Sequence, residues 1–187
     1  PGFGAGMSGS PNSACSAGVS ASASSTDTLS AANNAVRTIR NVKAQLAARD
    51  SALPAASATG FRETAAALAS SLSQIEDSIY QVRTQSSEDP LNFPIRINNK
   101  IAALGSVVGG ADAKPTDQSY AVYKILSAQL DTQLRDLHTT LDGLKGVNSF
   151  LASHGGAAVV PSTAEVKSET PAEDEGDGDM DAENGDR

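Results

Sequence analysis

From Phe61 to Val82 the apolar residues fall at intervals of four and three in strict alternation: Phe61, Ala65, Leu68, Leu72, Ile75, Ile79 and Val82. That spacing keeps one apolar stripe on one side of an α-helix for some two dozen residues, or roughly 35 Å at ~1.5 Å per residue. Ser, Gln, Glu and Asp occupy most of the other positions. A strand would alternate at every second residue, and no such alternation is present. A chain built this way buries its stripes by packing helix on helix. The composition agrees: aromatics are 4% of residues and Trp is absent. The core must come from Leu, Ile, Val and Ala, which suits long helices better than a β-sandwich.

Three further segments carry the same signal. Leu29, Ala32, Val36, Ile39 and Leu46, with Val42 between them, follow a possible cap at Thr26 or Asp27. Asp50 and Pro54 mark a turn over 50–57. After a break at 84–95, Ile97, Ile101, Leu104 and Val108 define a third helix that Gly109 and Gly110 stop. Pro115-Thr116 introduces the fourth and longest, with Tyr123, Leu126, Leu130, Leu134, Leu137, Leu141 and Leu144 in its stripe. Gly143 and Gly146 bend its end, and Phe150 and Leu151 close the bundle. The expectation is an all-α fold, an antiparallel up-down four-helix bundle over residues 26–152. Leu72, Ile75, Ile79, Leu134, Leu137 and Leu141 are expected in its core. The flanks read as a Gly/Ser/Ala-rich flexible linker, 1–25, and a disordered acidic tail, 153–187.

Charge limits the partners. Residues 165–187 hold ten acidic and two basic side chains, which accounts for the whole formal charge of −8. The remainder is formally neutral, with no electrostatic footprint for nucleic acid and no basic face for anionic lipid. No run approaches the length of apolar chain that spans a bilayer. The first 25 residues lack the basic start and apolar stretch of a signal peptide. Cys15 is the only cysteine, so an internal disulfide or a Cys-based metal site is excluded. The chain starts at Pro1, and so reads as a fragment or processed product, cut from the C-terminal end of a larger protein.

No catalytic, cofactor-binding or metal-ligating set stands out. His138 lies off the Leu stripe and His154 near the helix end, and both read as surface residues. The tail segment 177–183 imitates a calcium loop through Asp177, Asp179 and Asp181. It has Ala182 where Gly is needed and ends too soon for the bidentate Glu. Gly2, Gly4 and Gly6 follow no strand and open no helix, so they are not a dinucleotide fingerprint. Glu76 and Asp77 read as a solvated face.

The stretch 81–104 is the most informative. Asp89-Pro90 and Phe93-Pro94 stiffen a stop-and-restart between helices. Leu91 and Phe93 can plug the bundle end, and Asn92, Asn98 and Asn99 can bond free backbone groups. Arg83, Arg96 and Lys100 form either a small docking patch or local ion pairs with Glu88 and Asp89; the nearby acids favour the pairs. The candidate docking turn comprises Arg83, Asp89, Pro90, Asn92, Phe93, Pro94, Arg96, Asn98, Asn99 and Lys100.

The same stretch, QSSEDPLNFPIRINNKIAALGSVV, followed by Lys114-Pro115-Thr116 and a Leu-rich helix, resembles the C-terminal helical region of bacterial BNR-repeat, sortilin-like propeller proteins. Those proteins are often labelled glycosyl hydrolases. The resemblance covers about residues 30–150 and is most specific from Asp89 to Arg96 and at Asn98-Asn99-Lys100; Ala35 to Arg40 fit more loosely. It implies an exported or periplasmic bacterial protein whose β-propellers precede this region and would carry any hydrolytic site. The Gly/Ser-rich start and acidic tail have no counterpart in that family. The implied role is a non-catalytic accessory or interaction domain partnered with the propellers. The alternatives are a free-standing homo-oligomer, with the stripes of the second and fourth helices pairing between chains, and a small hydrolase. The last is disfavoured because no pair of carboxylates is singled out by spacing.

Overall fold

A computed structural model describes residues 12–83, 93–110 and 114–164. Those residues form an all-α fold with no strand. Five helices follow in order: α1 Asn12–Ala52, α2 Ala55–Ile79, α3 Ile97–Gly109, α4 Asp117–Asp142 and α5 Leu144–Ser153. The apolar stripes explain why they associate. Ala32, Ala35, Val36, Ile39, Val42 and Leu46 of α1 form one buried cluster with Phe61, Leu68, Leu72, Ile75 and Ile79 of α2 and Ile97 and Ile101 of α3. Leu126, Leu130 and Leu137 of α4 join the same cluster, as do Leu144, Val147 and Leu151 of α5. Leu72, Ile75, Ile79 and Leu137 are buried as expected, whereas Leu134 and Leu141 are half-buried at its margin.

The helices are not four consecutive antiparallel neighbours. Arg62 pairs with Asp50, and Glu76 pairs with Arg40, so α2 runs against α1. Asn98 then meets Asn33, and Gly105 lies against Ser25, so α3 also runs against α1, further along the same line. Consecutive α2 and α3 therefore point the same way, one after the other along α1. Together they act as one rod broken by residues 80–96. Returning in the direction of α1, α4 starts with Tyr123 beside Thr28 and ends with Gly143 against Leu68 of α2. The up-down expectation assumed short links, and the 17 residues between α2 and α3 are instead enough to leave the bundle and re-enter it.

Local chemistry sets the ends. Pro54 stands at the N-cap of α2. Thr116 caps α4, accepting a hydrogen bond from the Ser119 amide at 3.2 Å. The break at Gly143 separates α5 from α4. At the end of α5, Gly155 takes φ 72°, and the Gly156 amide returns to the Leu151 carbonyl at 2.8 Å. This is the six-to-one closure in which a left-handed glycine follows the helix cap.

Both flanks differ from expectation. Residues 12–25 belong to α1, the longest helix at 41 residues, rather than to a linker. Ala and Ser carry no apolar stripe to reveal a helix, but each costs only about 0–0.7 kcal/mol to add once a helix exists. Ser25 is buried, and the Ser24 carbonyl accepts from the Tyr123 hydroxyl at 3.1 Å. At the other end, residues 155–164 are not part of a disordered tail. They run back beside α1 as an extended strap, with Val159 buried in the common core. Residues 165–187 lie outside the described residues.

Candidate docking junction

The place where α2 stops and α3 begins holds most of the buried polar chemistry. Tyr80 ends α2 in extended geometry, with φ −129° and ψ 140°. One turn earlier, Glu76 is buried, its side chain only 6% exposed. Its carboxylate receives Arg40 Nε at 2.6 Å and Lys43 Nζ at 3.2 Å, both from α1. The Arg40 guanidinium also lies over the Tyr80 ring, 5.1 Å from its centre. Glu76 is thus a clamp between α1 and α2, not the solvated carboxylate its sequence neighbourhood implies. The signal was its position four residues after Leu72, on the flank of the apolar stripe.

The two sides of the excursion are tied to each other and to the bundle. Buried Gln81 donates Nε2 to the Pro94 carbonyl at 2.9 Å and accepts from the Arg83 amide at 3.3 Å. Arg96 pairs with Asp77 at 2.8 Å, joining the start of α3 to the end of α2. Asn98 is buried and donates to the Asn33 side chain on α1 at 3.2 Å. Arg96 Nε and Asn98 Oδ1 are buried without a partner. The Arg83 guanidinium lies 6.0 Å from the centre of the Phe93 ring.

Seven of the ten candidate docking residues therefore fall at one junction: Arg83, Phe93, Pro94, Arg96, Asn98, Asn99 and Lys100. Asp89, Pro90 and Asn92 lie outside the described residues, as do Glu88 and Leu91. The expected pairing of Arg96 with Glu88 or Asp89 is replaced by its bond to Asp77. Asn98 serves a side chain of α1 rather than free backbone groups. Arg83, Asn99 and Lys100 are exposed, and so are the neighbouring Val82 and Ile95. Sequence reasoning missed Asn33, Arg40, Lys43 and Gln81, because their partners are distant in the chain.

Elsewhere the polar groups are local. A groove of about 420 Å³ between α2 and α4 is lined by Ser71, Gln74, Ser78, Gln133, Asp136 and Thr139 among others, with Asp136 its one acid. The Ser71, Ser78 and Thr139 hydroxyls donate to carbonyls of their own helices at 3.2, 2.9 and 3.0 Å, so they do not converge on the groove. His138 and His154 are exposed, and His154 stacks on Phe150 with ring centres 4.2 Å apart. Among the described residues, no three His, Cys, Asp or Glu side chains are placed to hold a metal ion. The Asp177–Asp181 segment lies outside them. No helix of the described residues is long and apolar enough to cross a membrane.

Asp142 receives a hydrogen bond from Lys145 at 2.8 Å. That bond, then the lysine charge and a smaller contribution from His138, holds its carboxyl below the ordinary aspartate value. The pair's contribution is present above that ordinary value and fades as pH falls through the lowered one. Both groups are in water, so the effect on stability is small. A carboxyl-detected NMR titration should place the Asp142 midpoint below that of an unpaired aspartate, and Lys145→Gln should move it back up. An unchanged midpoint in Lys145→Gln would remove the pair as the cause.

Comparison with protein-family models, curated proteins and solved structures returns no match for this chain.

Proposed function

We propose that this chain is a non-catalytic helical interaction domain that docks through the α2–α3 junction. The observation that supports this most is the contrast within the junction. Gln81, Arg96 and Asn98 hold the backbone with bonds to Pro94, Asp77 and Asn33, while Val82, Arg83, Ile95, Asn99 and Lys100 face solvent on it. An exposed mixed apolar and polar surface on a pre-set backbone loses little freedom on binding, which favours recognition. The resemblance at Asp89 to Arg96 and Asn98 to Lys100 suggests the partner: β-propellers of the BNR-repeat type in an exported bacterial protein.

Catalysis is not part of this reading. Glycoside hydrolysis calls for two carboxyl groups about 5–10 Å apart across a cleft. Glu76, Asp77, Asp50 and Asp142 are each bonded to a base, and the groove between α2 and α4 offers Asp136 alone. A homo-oligomer formed by pairing the α2 and α4 stripes between chains is disfavoured, because Leu72, Ile75, Leu130 and Leu137 are spent inside one chain. Calorimetric titration of the purified chain into separately expressed propellers should show saturable 1:1 binding, with no turnover of aryl glycosides by the chain. Turnover abolished by Asp136→Asn, or absence of any propeller binding, would overturn the proposal.

A further inference from the structure

The strap is the least ordinary feature of the fold. No Cα of α5 comes within 8 Å of one in α1, so these two helices leave a channel between them. Residues 157–164 fill it. Asn148 of α5 bonds Val159 in both directions, Nδ2 to the carbonyl at 2.9 Å and Oδ1 from the amide at 2.8 Å. Gln45 of α1 does the same to Val160, at 2.7 and 3.0 Å. Arg49 Nε adds a bond to the Ala157 carbonyl at 2.8 Å. Two side-chain amides thus read an extended backbone as the edge of a sheet would, and one aliphatic side chain, Val159, fills the core beneath.

We propose that this channel is a peptide-binding site whose occupant can be exchanged: the strap of a second copy takes the place of the chain's own. Four observations carry it. Among residues 155–164 only Val159 is buried, so the strap leaves by withdrawing one side chain. It is joined to α5 by Gly155 at φ 72° and by Gly156, where an added Cβ would stand 3.0 Å from Leu151 Cδ2. The fold-back therefore rests on two residues with unusual freedom. An open channel leaves the core that Val159 closes in contact with water, which drives its refilling. The segment known to match the channel's amide spacing is this strap, and each further copy of the chain carries one. Exchange of one identical element between copies is a low-cost route to a dimer. The inference does not depend on the docking junction, which lies on another part of the surface.

Complementation in the full chain tests it. One variant, Val159→Asp, has a sound channel and a strap that cannot fill it. The other, Gln45→Ala with Asn148→Ala, has a sound strap and a channel stripped of four hydrogen bonds. Neither variant alone should associate, and an equimolar mixture should elute at the two-chain position, with 1:1 stoichiometry. A mixture that stays at the one-chain position overturns the proposal, as does association of either variant by itself. Gly155→Val in an otherwise unaltered chain is the second arm, needed if a channel variant fails to fold. A branched residue resists φ 72°, so the closed turn is disfavoured and the chain should shift to a concentration-dependent dimer that the further change Val159→Asp abolishes. A Gly155→Val chain that remains single at millimolar concentration, or a dimer that survives Val159→Asp, overturns it too.

Discussion

Phe61→Ala is expected to lower the free energy of unfolding by about 3–5 kcal/mol. Phe61 is 1% exposed, and its ring lies 6.1 Å from that of Phe150, tilted by 40°. It opens the α2 stripe and packs toward α5, so its removal leaves a cavity where two helices and the strap come together. The neighbours cannot easily collapse into that space. Gly60 already lies against Phe150, and Ala58 and Ala65 on the same side of α2 are too short to reach in. Urea denaturation followed by circular dichroism measures the loss. A change under about 1 kcal/mol would place Phe61 at the surface and contradict the packing of α2 on α5.

The second large effect is electrostatic. Arg40→Ala with Lys43→Ala removes both cations from Glu76 and leaves a carboxylate that is 6% exposed without a partner. Stranding one ion of a buried pair costs about 3–5 kcal/mol. The lower end applies here, about 3 kcal/mol, because Arg40 is itself half in water and the carboxylate can turn toward that opening. Adding Glu76→Leu to the double variant should restore most of the loss, since an apolar side chain of similar size needs no counter-ion. If the triple variant is no more stable than the double, the cost lies in the lost stems of Arg40 and Lys43 and not in the stranded charge.

The helices of the body were legible because their stripes are strict. The four-three spacing from Phe61 to Ile79 leads directly to the buried face of α2, and Leu126, Leu130 and Leu137 to that of α4. Direction was not legible. An apolar stripe specifies that a helix is buried, not which neighbour it runs against, and the excursion from Tyr80 to Arg96 lets α3 continue the line of α2. Residues 12–25 were misread because Ser, Ala and Gly give no period at all. The strap was hidden for a different reason: one Val among Gly and Ala has no pattern, and its bonds to Gln45 and Asn148 span 115 and 11 residues of chain. At the junction, Arg83, Arg96, Asn98 and Lys100 stood out through composition alone. Their roles depend on Asp77, Gln81 and Asn33, which no local spacing connects to them.

The central claim is that the exposed side of the α2–α3 junction is the docking surface and that its buried side exists to hold it. Arg83→Ala, Asn99→Ala and Lys100→Ala together alter exposed side chains and leave the bonds of Gln81, Arg96 and Asn98 in place. The direct measurement is the affinity of this triple variant for the propellers, by calorimetry, alongside its melting temperature. The account predicts binding weakened at least tenfold with melting unchanged within a few degrees, since exposed substitutions away from packed features cost within about 0.5 kcal/mol. Propeller binding as tight as that of the unaltered chain would contradict it.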